Sequence, residues 1–407
     1  MSRRPQLWVL AVVCLAVVRP ASAQVGGGTY ATPAHVSAVQ GQAAIQRDGE
    51  TSSLVENLPL LESDRLSAGS GRVEVLLPDG SALALDHGST LDLRAGGIIQ
   101  LFGGRLVFAV TDAREGGAEY GYQVQVPGGV VRLLTGGDYR VSAAPAGGTA
   151  GVDVAVLRGR AMLAAGNTSY AVSAGQRLRL AGGRAAVRVA FDTAAGDPFY
   201  RWAGALTARR AGARSRAYLP SALHAYAGTF DRDGTWVSVP DYGWVWYPRV
   251  AVGWRPYYDG YWVPYNWGWT WVGSGPWLWP THHYGRWGYG ARGWFWIPKP
   301  YWGPAWVSWG LATGYVSWCP LGWDDAPVFG LSFASSSGSR YNAWLGWTVV
   351  PARAFGRGRR VSAVALRGDA LRVVERASFT VRRAPPAVPP AAGRGIRGRW
   401  APVRRPR

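Results

Sequence analysis

The chain of 407 residues is short of the side chains that perform most protein chemistry: it has two cysteines, five histidines and a single lysine, Lys299. Two cysteines cannot supply a thiolate metal cluster or a disulfide framework, so the fold must rest on apolar cores. One lysine and five histidines leave few candidates for acid–base or covalent catalysis. His282-His283 is a tempting metal pair, but neighbours in a strand point to opposite faces, and both read as polar loop residues. Asp324-Asp325 has the same defect. No G-x-S-x-G elbow, phosphate-binding loop or H-E-x-x-H motif occurs. The expectation is a non-enzyme with no catalytic residue, cofactor or metal ligand.

Long apolar runs are also missing. The run over residues 7–18 has twelve residues. As a helix it would span about 18 Å, short of the ~30 Å bilayer core. It follows Arg3 and Arg4 and precedes Ala21-Ser22-Ala23, the pattern of an export signal cleaved so that the mature chain begins at Gln24. Gln6 sits where a twin-Arg signal wants an apolar residue, which favours ordinary Sec export. Val13 before Cys14 argues against a lipoprotein anchor. Cleavage removes Cys14 and leaves Cys319, which is expected to be buried. No later run reaches eighteen apolar residues, so the mature chain is expected to be periplasmic or secreted, without a membrane span.

Acids are outnumbered, 24 against 44 basic residues, but the imbalance is local. Fifteen arginines and only Asp369 and Glu375 lie between residues 353 and 407. Residues 385–407 are mostly Pro, Ala, Gly and Arg and cannot bury a core, so 351–407 reads as a basic, mostly disordered tail. In an exported chain such a tail is either merely solvated or meets anionic polymers or lipid headgroups, not nucleic acid.

Glycine, by contrast, is abundant, at 56 residues, and it punctuates short alternating apolar–polar runs over residues 35–192. Strands are expected at 73–77, 82–85, 98–102, 105–110, 122–126, 130–134, 139–143, 152–157, 161–164 and 177–180. Pro78-Asp79-Gly80 is a turn between the first two. Many short strands at this spacing mean an all-β sandwich or wound β-domain.

An ordered series within this region resembles the FecR family of periplasmic sensor domains. It runs Asp64-Arg65-Leu66-Ser67-Ala68-Gly69, Val75-Leu76-Leu77-Pro78-Asp79-Gly80-Ser81, Gly104-Arg105-Leu106-Val107-Phe108 and Val126-Pro127-Gly128-Gly129-Val130-Val131-Arg132. Val154-Ala155-Val156-Leu157-Arg158-Gly159-Arg160 and Ala174-Gly175-Gln176-Arg177-Leu178 complete it. The resemblance implies an extracytoplasmic β-domain that binds a partner protein. It departs at Gly136-Gly137-Asp138, where the family often has Gly-Thr. The cytoplasmic segment and transmembrane helix of the signalling members have no counterpart, so only the module carries over. Residues 193–225 read as a solvated linker, with a short helix possible over 203–211.

Tryptophan is the outstanding excess. Eighteen of 23 lie between residues 236 and 323. Gly243-Trp244-Val245-Trp246 recurs as Gly268-Trp269-Thr270-Trp271 and Gly293-Trp294-Phe295-Trp296, a step of 25 residues each time. Trp236, Trp262 and Trp287 precede these copies, and Gly314-Tyr315-Val316-Ser317-Trp318 is a degenerate fourth. Residues 226–350 therefore read as stacked β-hairpins whose Trp pairs align into a ladder. The runs 254–262 and 302–309 look like the aromatic-rich domain that follows FecR-like modules in large-genome bacteria, to which no function attaches.

The ladder is either the core, since each buried aromatic removes about 150–250 Å² from water, or a platform for sugars or organic cations. Trp267, Trp277, Trp279, Trp302 and Trp309 fall outside the repeated positions and are the expected surface aromatics. Two functions follow: binding an envelope protein through the FecR-like domain, or gripping cell-wall polysaccharide with exposed Trp.

Overall fold

The computed structural model describes residues 31–111, 121–145, 151–181, 185–191, 196–212, 214–330, 343–375, 379–382 and 384–385. The export signal with Ala21, Ala23 and Gln24, and the Pro/Arg-rich end from 386, lie outside the described residues. The fold is all-β, with several sheets, few helices and no barrel. Among the described residues no helix is long and apolar enough to cross a membrane.

Strands from His35–Gln40 to Val187–Val189 form one hydrogen-bonded network. Its organiser is Ile98–Val110, where two expected strands are one. Its first half pairs with Thr90–Arg94 and, in parallel, with Gln123–Val126. Its second half pairs with Ala82–Leu85 and Gly137–Ala143. Ile99 and Leu101 point inward before Gly104, and Leu106, Phe108 and Val110 after it, so the two-residue alternation slips at the glycines. Gly104 has φ +100°, and a Cβ there would lie 2.4 Å from Ser89 Oγ. Only glycine lets the strand change sheets at this point. The core is aliphatic: Val73, Val75, Leu83, Leu85, Leu106, Val141, Val154 and Val156 are sealed from solvent.

The stretch expected to be a solvated linker is instead packed. Helix Pro198–Arg210 starts at Asp197, whose carboxylate accepts the N–H groups of Phe199 and Tyr200, both at 3.0 Å. Proline at the first turn and an aspartate cap form an N-terminal signal. Asp197 also takes a hydrogen bond from Arg105, which bridges on to buried Asp86. Phe199, Ala203, Leu219, Leu223 and Tyr226 are buried. Arg140 lies 3.8 Å over the Tyr200 ring. The basic run 209–216 hid these apolar residues, which flank it.

Four hairpins follow: Gly234–Val239 with Gly243–Pro248, Gly260–Tyr265 with Gly268–Gly273, Arg286–Gly290 with Gly293–Ile297, and Val307–Ala312 with Tyr315–Pro320. They do not build one ladder. The first and third share a sheet through Trp246 opposite Trp296, while the second stands as its own sheet. That second hairpin joins the domains: Val263, Tyr265 and Val272 sit in the aliphatic core, and Trp262 and Trp271 in the aromatic one. Asn57 Nδ2 donates to the carbonyls of Gly273 (3.0 Å) and Gly275 (2.8 Å) across the seam.

The Trp-rich domain also runs past its expected end at 350. Thr348–Pro351 and Thr380–Arg382 flank the fourth hairpin on either side. Phe355 sits 4.6 Å from the Trp269 ring and 5.7 Å from that of Trp309. Val349, Val350 and Val361 are buried. The arginines that dominate the composition of this segment masked the apolar residues that dock it.

Candidate functional site

Each hairpin carries one cross-strand Trp pair in register: Trp236 with Trp246, Trp262 with Trp271, Trp287 with Trp296, and Trp309 with Trp318. Trp309 is thus the fourth copy's own repeated position and not an extra. It is buried, and its ring lies 4.7 Å from that of Trp262. Trp279 and Trp302 are buried too, and Trp267 and Trp277 are half-buried. The five anticipated surface tryptophans are therefore core or core-margin residues. Loop position in the repeat does not mean exposure, because these loops are folded inward between the hairpins. Cys319 is buried, and burial pushes its thiol up to about 12.

His282 and His283 correct the sequence reading as well. They end a short helix, Leu278–His283, and are sealed in the core. The His282 ring lies 4.6 Å from Tyr257, 5.7 Å from Trp287 and 6.3 Å from both Trp271 and Trp277. Its Nε2 accepts the Tyr257 N–H at 3.2 Å, so the neutral ring carries its proton on Nδ1, 3.0 Å from Thr281 Oγ1. His283 Nδ1 donates to the Gly303 carbonyl at 3.0 Å. His35, from the first domain, stacks on Trp279 at 3.8 Å. Burial pushes all three imidazoles down, His283 to about 4. Neutral, caged rings of this kind pack a core. Among the described residues no group of three metal-ligating side chains converges.

Among the exposed aromatic residues are Tyr301, Trp323 and, at the tip of the first hairpin, Trp244, which belongs to a shelf of stacked rings. Trp236, Trp244 and Trp246 share one face of that hairpin, because Trp236 opposes Trp246 and Ser238 opposes Trp244. The face runs from core to solvent: Trp246 is sealed against Phe230, Trp236 is half-buried, and Trp244 is 46% exposed. Tyr218 fills the space between, 5.0 Å from Trp236 and 4.5 Å from Trp244. Trp236 cannot swing away. Its Nε1 donates to Ser215 Oγ at 2.8 Å, and Ser215 donates to Asp231 at 2.6 Å. Exposed Arg214 and Arg216 precede Tyr218 in the chain. The turn at the tip, with Gly243 at φ +71°, holds Trp244 outward. The signal for this site was Trp244 itself, placed one residue past a turn.

Residues 227–325 match a protein family of unknown function, DUF6600. The match begins at the helix Ala227–Asp233 and spans all four hairpins, shelf tip included, but ends before the two C-terminal strands. Two crystal structures of a "putative anti-sigma factor" from Parabacteroides distasonis are similar at 18% identity, with TM-scores of 0.27 and 0.28. Each likeness covers 32% of this chain and 60% of that chain, so the chain spans less than two thirds of that protein's length. No curated protein matches the chain.

Proposed function

We propose that this chain is an exported, non-enzymatic protein of the cell envelope that binds a partner protein, and that the shelf of Tyr218, Trp236 and Trp244 is a contact surface. One observation carries the reading. In a domain that buries or half-buries nearly all of its tryptophans, this cluster is held open at a hairpin tip by a hydrogen-bonded chain from Asp231. Rigid Trp and Tyr beside Arg are the residues that dominate protein–protein binding energy. The FecR-like domain offers a further surface at its outermost strand, Val187–Val189, where Val187 is exposed. A glycan is the second reading, favoured by the same stacked rings.

A photo-cross-linking side chain at position 244 in cells separates these readings. Protease-sensitive adducts of discrete mass, lost when Tyr218 is also changed to alanine, support a protein partner. Salt-resistant pelleting of the purified chain with cell-wall sacculi, lost in Trp244→Ala, supports the glycan. If neither occurs, the shelf is not a binding surface.

A further inference from the structure

The hairpins repeat, and the later copies show what covers an indole at the position of Trp244. Trp269 and Trp294 hold that position in the second and third copies, each directly after a left-handed glycine of the hairpin turn, Gly268 and Gly293. The register sets Ser238 opposite Trp244, Pro264 opposite Trp269 and Tyr289 opposite Trp294. Trp294 is buried, with the Tyr289 ring at 5.4 Å and that of Phe329, from later in the chain, at 5.7 Å.

Trp269 receives two later segments. Phe355 packs at 4.6 Å, and the chain behind it lies so close that a Cβ on Gly356 would come within 2.3 Å of Trp269 Cη2. Beyond the strand Thr380–Arg382, buried Pro385 arrives as well, and Trp269 Nε1 donates to its carbonyl at 2.9 Å. Proline suits this place. Its ring is apolar, its φ is fixed, and it has no N–H of its own to leave unpaired. An extended segment bearing proline keeps its carbonyls free to accept an indole proton. Trp244 lacks such a cover among the described residues. Ser238 opposite it is small and exposed, Tyr218 leaves it 46% exposed, and its Nε1 meets no acceptor.

Taking the shelf as the contact surface proposed above, we infer that it grips an extended, proline-bearing segment of the partner protein. A proline ring packs on the part of Trp244 that Tyr218 leaves open, and a carbonyl of the segment accepts the Trp244 Nε1 proton. This repeats at the first hairpin what Pro385 does at the second. The chain's own proline-rich end is a poor occupant. Arg214 and Arg216 stand exposed beside the shelf, against Asp241 in the turn, and that end is itself rich in arginine.

Calorimetric titration of the purified chain with an acetylated, amidated peptide of residues 384–391 tests the assignment, since that stretch carries four prolines and no charged side chain. Saturable one-to-one binding is expected, and Trp244→Ala should abolish it. Trp244→Phe keeps a ring but loses the donor, and should weaken binding about tenfold. The same peptide with its four prolines changed to alanine should bind at least about tenfold more weakly, because its chain must be ordered on binding. Trp244 stands half in solvent, so both variants should fold, and circular dichroism checks that. No binding of the proline peptide, undiminished binding by Trp244→Ala, or equal binding of the alanine peptide would each overturn the inference. A photo-cross-linking side chain at exposed position 216, with Trp244 intact, tests the underlying reading in cells. Protein adducts there without peptide binding would remove the proline assignment alone. Absence of both would remove the contact surface with it.

Discussion

The two domains solve the same problem with opposite materials. The N-terminal β-domain closes its core with Val, Leu and Ile, and sealed Phe108 and Tyr139 are exceptions there. The Trp-rich domain closes its own with indoles: Trp246, Trp271, Trp279, Trp287, Trp296, Trp318 and Trp347 are all but sealed. Strand economy explains the difference. In the first domain many strands share one hydrogen-bonded network, so small side chains suffice to fill the space between faces. In the second, four hairpins with strands of five or six residues are divided among three small sheets, and each must bury more area per residue.

Indoles bring a donor that aliphatic residues lack. Trp246 donates to Phe230 O (3.1 Å), Trp296 to Tyr284 O (2.8 Å), Trp318 to Tyr257 O (3.0 Å) and Trp347 to Phe329 O (2.8 Å). Each bond fixes a loop against a strand, so the aromatic core also sets the path of its connections. Among the described residues the donors of Trp262, Trp271 and Trp287 meet no hydrogen-bond acceptor, and no buried donor of the first core is left so.

The contrast can be broken, most forcefully at Trp296. Trp296→Ala should cost about 3–5 kcal/mol, because it removes the ring that joins the first and third hairpins. Denaturant unfolding followed by near-ultraviolet dichroism measures it, and a loss below about 1 kcal/mol would mean the pair does not hold the sheet.

Acid should separate the domains next. The unfolded chain protonates His283 near 6.5, whereas the folded chain resists until about pH 4. Stability is therefore full above pH 6.5 and falls between 6.5 and 4, by about 3 kcal/mol for this residue. His35 and His282 add loss of the same sign. In the first domain, burial works against ionised Asp86, but its bonds from Arg72 and Arg105 win and hold its pKa below the ordinary 3.8. Its contribution is kept above that value and lost only as pH falls through the lower folded pKa. Near-ultraviolet melting against pH should thus show the aromatic domain weakening first. Coincident loss of both domains only below pH 4 would contradict the buried-histidine account.

A backbone change sharpens the comparison from the other side. Gly104→Ala should cost about 1–3 kcal/mol in the first domain, since it forces a side chain into left-handed backbone against Ser89. Chemical denaturation measures this as well, and an unchanged midpoint would show that the sheet crossover tolerates a Cβ. Trp244→Ala should have the smallest effect, within about 0.5 kcal/mol, because the ring stands half in solvent at a hairpin tip. A melting temperature close to that of the parent chain, combined with lost cross-linking, is the expected pattern. A large fall in melting temperature would return the shelf to the core.

Much of the fold was legible because short-range rules govern it. The strands expected at 82–85 and 139–143 are observed as Ala82–Leu85 and Gly137–Ala143, since two-residue alternation and glycine turns act within a few residues. The helix Pro198–Arg210 was legible only in part: its cap lay at Asp197-Pro198, upstream of the basic run that drew attention. The short helix over 278–283 was not legible. Its residues follow Gly-Ser-Gly-Pro and sit among strand-forming aromatics, and tertiary packing overrides propensity there.

The sequence by itself determined the strand periods, the turns and the spacing that sets a Trp opposite a Trp in every hairpin: nine residues in three copies, ten in the first. Period two also placed Trp244 and Trp246 on one face, to which the hairpin register adds Trp236. Only the tertiary structure decided which of them meets water. Phe230 and Trp277 cover Trp246, Phe355 from more than eighty residues away covers Trp269, whereas Tyr218, the ring beside Trp244, leaves it 46% exposed. Alternation is a local property of the backbone, whereas burial depends on which distant segment arrives to cover a face.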